Sequence, residues 1–343
     1  MWRFWGGRGL ELRGLVTAFA VLTTVSAACS GGGATVPPDE GLVQVVATVS
    51  PITNIVQNVG GEHVQVVGIV PEGTNSHTFE PAPSDATAMA EADIVFMNGL
   101  HLEEPTRELA EANVAEGVEI VRLGDRTVTP EEYIFDFSFP EAGGDPNPHL
   151  WTNPSYAKRF AEIVKEELSE LDMDNAAAYQ ANYDAFAERI DELDRLAHQV
   201  TTTVPVDHRK LLTYHDSFPY FAREHGWTVI GAIQPSDFSE PTPQEVVALI
   251  DQIRAERVPA IFGSEVFPSP VLEQIAEETG AAYIDDLRDD DLPGEAGDPD
   301  HSYFGLMVFD FRTFMGALGG DVSAFEGFDV TNVYEGDTAS YRY

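Results

Sequence analysis

Between residues 154 and 200 the apolar side chains keep helical spacing, and on both sides of this stretch short β-rich runs alternate with short amphipathic ones. Phe160, Ile163, Val164 and Leu168 repeat on one face; after a break near residues 171–174, Tyr179, Tyr183, Phe186, Ile190, Leu193, Leu196 and Val200 do the same. A helix from residue 174 to residue 200 would be roughly 40 Å long at about 1.5 Å per residue, the length of a domain. It can therefore act as a stiff connector, with the charged residues between its apolar positions as a solvated face. Upstream, strands are expected at 43–49, 63–70, 94–97 and 118–123, with helices at 52–59 and 85–91. Downstream, strands at 210–214, 227–233, 260–262 and 282–284 interleave with helices at 217–224, 243–256, 268–280 and 303–318. This order predicts an α/β fold: two lobes with mostly parallel sheets, joined by a long rigid helix. The lobes are expected at 42–153 and 204–343, the linking helix at 154–203. Segments 125–148 and 288–300, rich in Asp, Glu, Gly and Pro, read as loops. No internal repeat is evident.

The chain has 343 residues, 43% of them hydrophobic, enough for two cores. It carries 58 acidic and 19 basic residues, a formal charge of −39. Such a surface stays soluble and repels a phosphate backbone, so nucleic acid is excluded as a partner. The single cysteine, Cys29, allows no intrachain disulfide and no Cys-rich zinc site, so any metal must be held by His, Asp or Glu. Arg3, Arg8 and Arg13 precede an apolar run at 15–28 that is short for a membrane span and ends in Ser26-Ala27-Ala28. Residues 1–28 read as a signal peptide, a retained membrane anchor being the alternative. The position of Cys29 resembles that of the acylated cysteine in a bacterial lipobox, with Ser26 where leucine is usual. That implies lipidation at Cys29 and a membrane-anchored lipoprotein outside the cytoplasm, or a periplasmic protein. Residues 29–41 read as a flexible tether.

Four side chains stand out by position. His77 lies in a turn-rich loop after a strand, His149 just before a helix, and His215 and Asp285 at strand ends. Ligands of open α/β sheets bind beyond the carboxyl ends of strands. The four come from widely separated segments, so a site built from them would sit in a cleft between lobes. Three imidazoles and one carboxylate suit tetrahedral zinc; copper, nickel and iron also accept imidazole, and a carboxylate favours manganese. Four filled positions leave no place for a metal-bound water, which favours capture over catalysis. Asp286, adjacent to Asp285, is an equal candidate for the acidic ligand. His63, His198, His208 and His225 read as ordinary structural histidines, and His101 and His301 as weaker candidates for a second site. Glu80, Asp216 and Glu265 could orient ligating imidazoles.

These residues resemble the motifs of the zinc/manganese type of solute-binding proteins of ABC transporters. Gly73 to Pro81 is similar to that family's first ligand loop. Asp145 to Trp151 is similar to its Asp-Pro-His-x-Trp motif, with Asn147-Pro148 read as an insertion. Tyr214-His215-Asp216-Ser217-Phe218-Pro219 is similar to its third ligand motif, and Tyr283-Ile284-Asp285-Asp286-Leu287 to the segment supplying the acidic ligand. Asn98-Gly99-Leu100 and Phe262-Gly263-Ser264-Glu265 match further landmarks. The resemblance covers residues 42 to about 320. It implies His77, His149, His215 and Asp285 as metal ligands, a membrane permease as partner, a monomer, and delivery of a divalent metal rather than enzymatic turnover. A histidine at the third ligand place goes with zinc in that family and a glutamate with manganese, so His215 points to Zn2+, with Mn2+ or iron as the alternative. The His-rich loop common in zinc members is missing: 125–148 is short, acidic and free of histidine up to His149. A zinc hydrolase is the competing reading, although no His-Glu-x-x-His is present; a surface adhesin with a structural metal is another.

Overall fold

The computed structural model describes residues 41–234, 241–264, 269–334 and 339–341. The signal segment, Cys29, nearly all of the tether and Glu265 lie outside the described residues. Among those described, the strands form two sheets in which every pairing is parallel. The first holds β1 (Val43–Ala47), β2 (Val64–Gly68), β3 (Ile94–Met97), β4 (Glu119–Arg122) and β9 (Ala339–Tyr341), in the order β4-β3-β1-β2-β9. The second holds β5 (Lys210–Thr213), β6 (Thr228–Ala232), β7 (Ala260–Ser264) and β8 (Ala282–Leu287), in the order β6-β5-β7-β8. β1 to β4 and β5 to β8 therefore follow one winding scheme, a structural repeat with no trace in the sequence.

Helices cover both faces of the first sheet, which is why its inner strand β3 is apolar and buried throughout. Val45, Ala47, Ile94 and Phe96 point into the main core, whereas Val46, Val95 and Met97 point to a smaller cluster under α2 (Asp85–Glu91) and α3 (Glu104–Asn113). α1 (Ser50–Gly60) is buried along its whole length and ends at Gly61, whose φ of 56° is the left-handed conformation glycine tolerates. The helical stretch is a hairpin rather than one rod: α4 (Pro154–Leu171) starts on Asn153, whose side chain accepts from Ser155 N, and α5 (Ala176–Thr203) returns along it. α5 has 28 residues, about 42 Å at 1.5 Å each. It packs on α1 and α4 beside the first sheet, and on α6 (Pro219–His225) and α9 (Tyr303–Ala317) beside the second. The second sheet is completed by α7 (Pro243–Glu256), opened by a Thr242–Glu245 capping box, and α8 (Pro270–Thr279). One apolar cluster runs from Val45 and Phe96 through Phe160 and Phe186 to Phe221, Phe311 and Phe314, so both sheets share a core.

Three features depart from the expected outline. α3 was not expected, because its core face offers little beyond Thr106 and Ala110. β9 was not expected either; it returns from the end of the chain to pair with β2, so residues 204–343 do not all stay with the second sheet. β8 runs three residues further than expected, and its pairing with β7 slips: Phe262 faces Ile284 but Ser264 faces Leu287. That extra residue turns Asp285 and Asp286 to solvent and Leu287 inward.

Gly305 in α9 tests the closeness of packing at the start of that helix. A Cβ there would lie 1.9 Å from the Asp300 carbonyl oxygen, whereas one at Gly316 meets only ordinary contacts at 3.6 Å. Gly305→Ala is expected to lower unfolding free energy by about 1–3 kcal/mol despite alanine's better helix propensity. Gly316→Ala should be neutral or stabilising by up to about 1 kcal/mol. Urea unfolding of both variants checks this; a Gly305→Ala chain as stable as the parent contradicts the packing described.

Candidate metal centre

Three of the four expected residues meet between the sheets. His77, in the loop after β2, His149, and His215, two residues past β5, bring their Nε2 atoms together: His77 to His149 3.2 Å, His77 to His215 3.2 Å, His149 to His215 2.8 Å. Nitrogens bound to one ion in a tetrahedron, at about 2.05 Å, are about 3.3 Å apart. The triangle is thus close to that of a three-imidazole coordination face.

The tautomers are set by amide oxygens. His149 Nδ1 lies 2.9 Å from Asn147 Oδ1, which also accepts from His149 N at 3.0 Å. The Asn147 amide is oriented by its own donors, as Nδ2 gives hydrogen bonds to the Asp216 carbonyl at 2.6 Å and Asp136 Oδ2 at 3.0 Å. His215 Nδ1 lies 2.8 Å from Gln234 Oε1. An amide oxygen only accepts, so each Nδ1 carries the proton and each Nε2 keeps a lone pair facing the common point. Burial holds all three rings below the ordinary histidine range, His77 and His149 well below it, and repulsion from the His215 ring adds to the shift at both. Neutral imidazole is the form that binds a cation.

Asp285 does not join them. It is exposed on β8, as is Asp286, for the reason of the register slip. The carboxylates that face the histidines come from the next turn: Asp289 Oδ2 lies 3.6 Å from His215 Nε2, and Asp289, Asp290 and Asp291 are all buried. Burial raises Asp289 to about 7, with the Asp291 charge adding; burial and Asp289 raise Asp290 to about 7. Trp151 Nε1 donates to the Asp289 carbonyl at 2.7 Å, and Tyr303 Oη donates to the Trp151 carbonyl at 2.7 Å, so this turn is braced from the second ligand loop. The two acidic loops are therefore walls of the site. Ser138 in the 125–148 loop donates through N to Asp216 Oδ2 and through Oγ to the Gln234 carbonyl, and Phe139 packs on His77 and His149 with centroids 5.5 and 5.7 Å away. A cleft of about 240 Å³, lined by His77, Leu100, Phe139 and Pro148 among others, opens from the triad to solvent.

Of the residues expected to orient imidazoles, Glu80 is exposed, and Asp216 offers the Asn147 amide its backbone carbonyl, while its carboxylate accepts from Ser138 N. Asn147 and Gln234, the direct partners, were missed. Both signals were available: Gln234 stands two residues past β6 as His215 stands two past β5, and Asn147 stands two before the histidine, where the motif has aspartate. No insertion is needed in that motif. His101 lies on the rim of the cleft, 3.2 Å from Glu104 Oε1, and His301 lies 3.7 Å from Glu72 Oε1, both outside the triad.

Residues 45–317 match the family described as zinc-uptake complex component A, periplasmic. The chain belongs to this family. It is a metal-binding solute receptor of an ABC transporter that works outside the cytoplasm, and the hydrolase alternative falls with that. Among curated relatives, the manganese-binding lipoprotein MntA of Halalkalibacterium halodurans is 26% identical, covering 87% of this chain and 96% of its own. The iron-binding protein YfeA of Yersinia pestis is 30% identical over 77% of this chain and 82% of its own. Among solved structures, a manganese-bound periplasmic metal-binding protein from Candidatus Liberibacter asiaticus superposes with a TM-score of 0.70 at 26% identity, covering 80% and 98% of the two chains. The periplasmic zinc-binding protein TroA from Treponema pallidum shares the fold, with a TM-score of 0.73 at 24% identity over 81% and 100%.

If Asn147 sets the His149 tautomer in this receptor, Asn147→Ala should weaken divalent-metal affinity about 10–100-fold while leaving the fold intact. Isothermal titration with circular dichroism as control reads this; unchanged affinity would remove Asn147 from the site's machinery.

Proposed function

We propose that this receptor captures zinc at His77, His149 and His215, takes a fourth ligand from Asp289, and releases the ion to a membrane permease. The observation that carries the reading is the convergence of three Nε2 atoms, two of them on rings whose Nδ1 protons are held by amide oxygens. Three nitrogen donors favour zinc over manganese, which prefers oxygen. Asp289 replaces Asp285 as the acidic ligand because it is buried and faces His215. Manganese is the second reading, supported by the buried Asp289 to Asp291 run beside the triad and by the manganese- and iron-binding relatives. Calorimetry of the metal-free chain with each ion should show tighter binding of zinc, near one ion per chain. His149→Ala should weaken it by more than about a hundredfold and Asp289→Asn by about tenfold or more, with Asp285→Asn unchanged. Tighter manganese binding rejects the choice of metal. A large loss in Asp285→Asn rejects the choice of carboxylate.

The receptor works as a monomer tethered through an acyl group on Cys29, residues 1–28 being removed on export. The support is the sequence order of basic residues, apolar run and small residues before the cysteine, together with relatives named as lipoproteins. Cys29→Ala should move the protein from the membrane fraction to the soluble extracytoplasmic fraction. Equal membrane retention, or no shift in mass on delipidation, overturns the anchor.

A further inference from the structure

A second cluster of metal-binding side chains lies away from the triad, where α5 meets α6. Asp194 and His198 sit one helical turn apart on α5, and His225 closes α6. His225 Nε2 lies 3.2 Å from Asp194 Oδ1, and His198 Nε2 lies 3.7 Å from Asp194 Oδ2. The two imidazoles lie side by side with centroids 4.0 Å apart at 32°, and one potential ligand atom from each of the three residues falls within 4.8 Å of the others. The His225 side chain has no exposed surface, yet neither of its ring nitrogens has a hydrogen-bond partner among the described residues, and neither does the buried Asp194 Oδ1. Phe221 stacks against the His225 ring at 4.2 Å and 17°, fixing its orientation toward the cluster. Buried polar atoms normally find partners, so a buried imidazole aimed at a carboxylate and a second imidazole points to an ion that all three can bind.

We propose that Asp194, His198 and His225 form a second divalent-cation site, distinct from the transport centre. Two imidazole nitrogens and one carboxylate oxygen suit borderline ions, with zinc as the probe. His198 is half exposed, which gives the ion a route in and leaves its remaining coordination positions to water. An ion held there ties α5 to α6, and α6 follows directly on the segment that carries His215. The site is therefore a structural clamp beside the ligand loop and takes no part in holding the cargo.

The test uses the full chain carrying His77→Ala and His149→Ala, which disables the first centre whatever metal that centre prefers. This chain should bind about one zinc ion in equilibrium dialysis, and its melting temperature should rise with added zinc. Adding His198→Gln or Asp194→Asn, both at solvent-accessible positions, should weaken that binding about tenfold or more and abolish the shift. His225→Ala should do the same, with far-ultraviolet circular dichroism showing whether its fold survives. If the doubly substituted chain binds no zinc, or binds it equally with Asp194 and His198 replaced, the site does not exist and the cluster is a histidine–aspartate ion pair.

Discussion

A metal centre assembled from loops of two sheets keeps its geometry only if the sheets cannot slide, and here one apolar core prevents that. Phe186 of α5 packs on Tyr303 and Phe304 of α9, with centroids 6.0 and 4.9 Å away, while the same helix lies along α1 and α4. Polar ties nearer the site act in the same direction. Tyr220 Oη donates to the Asn147 carbonyl, Thr152 Oγ1 to the Ser217 carbonyl, and Asn153 Nδ2 to the Tyr220 carbonyl. These bonds join the second ligand loop to the third, so His149 and His215 are positioned by one network. Shear between lobes would break several buried hydrogen bonds together, at a cost of about 1–3 kcal/mol for each group left unpaired.

Within that frame the chemistry depends on neutral partners. Carboxylates directly behind both buried imidazoles would increase ligand basicity and add charge; amides at Asn147 and Gln234 fix the tautomer without adding charge. The charge is set one layer back, where Asp136 and Asp216 lie close together, and burial with mutual repulsion raises Asp136 to about 9. The carboxyl groups nearest the triad are those of the Asp289 to Asp291 turn, and burial raises all three above the ordinary range.

Much of the fold could be read from the chain because its signals were local. Buried strands such as Ile94–Met97 are apolar on both faces, and the spacing of Phe186, Ile190 and Leu193 admits only a helix. The three histidines were legible for the same reason: each follows a strand or precedes a helix in a turn-rich segment. What escaped was set by pairing at long range. The slip between β7 and β8 turns Asp285 to solvent and leaves the buried Asp289 of the turn beyond it facing His215, and no periodicity records a slip. His198 and His225 looked ordinary because their proximity depends on how α6 packs against α5. β9 carries too few residues to show a pattern before its partner is known.

That last strand has a consequence for how the molecule is made. β9 covers the outer edge of β2, a strand of sequence Val-Gln-Val-Val-Gly, although it lies far downstream of it in the chain. Until β9 pairs, the flank of the first sheet displays a row of unpaired backbone amides and carbonyls on a valine-rich ribbon, the kind of surface that recruits strands from neighbouring chains. Loss of β9 alone would leave His77, His149 and His215 in place and still produce a sticky, self-associating product.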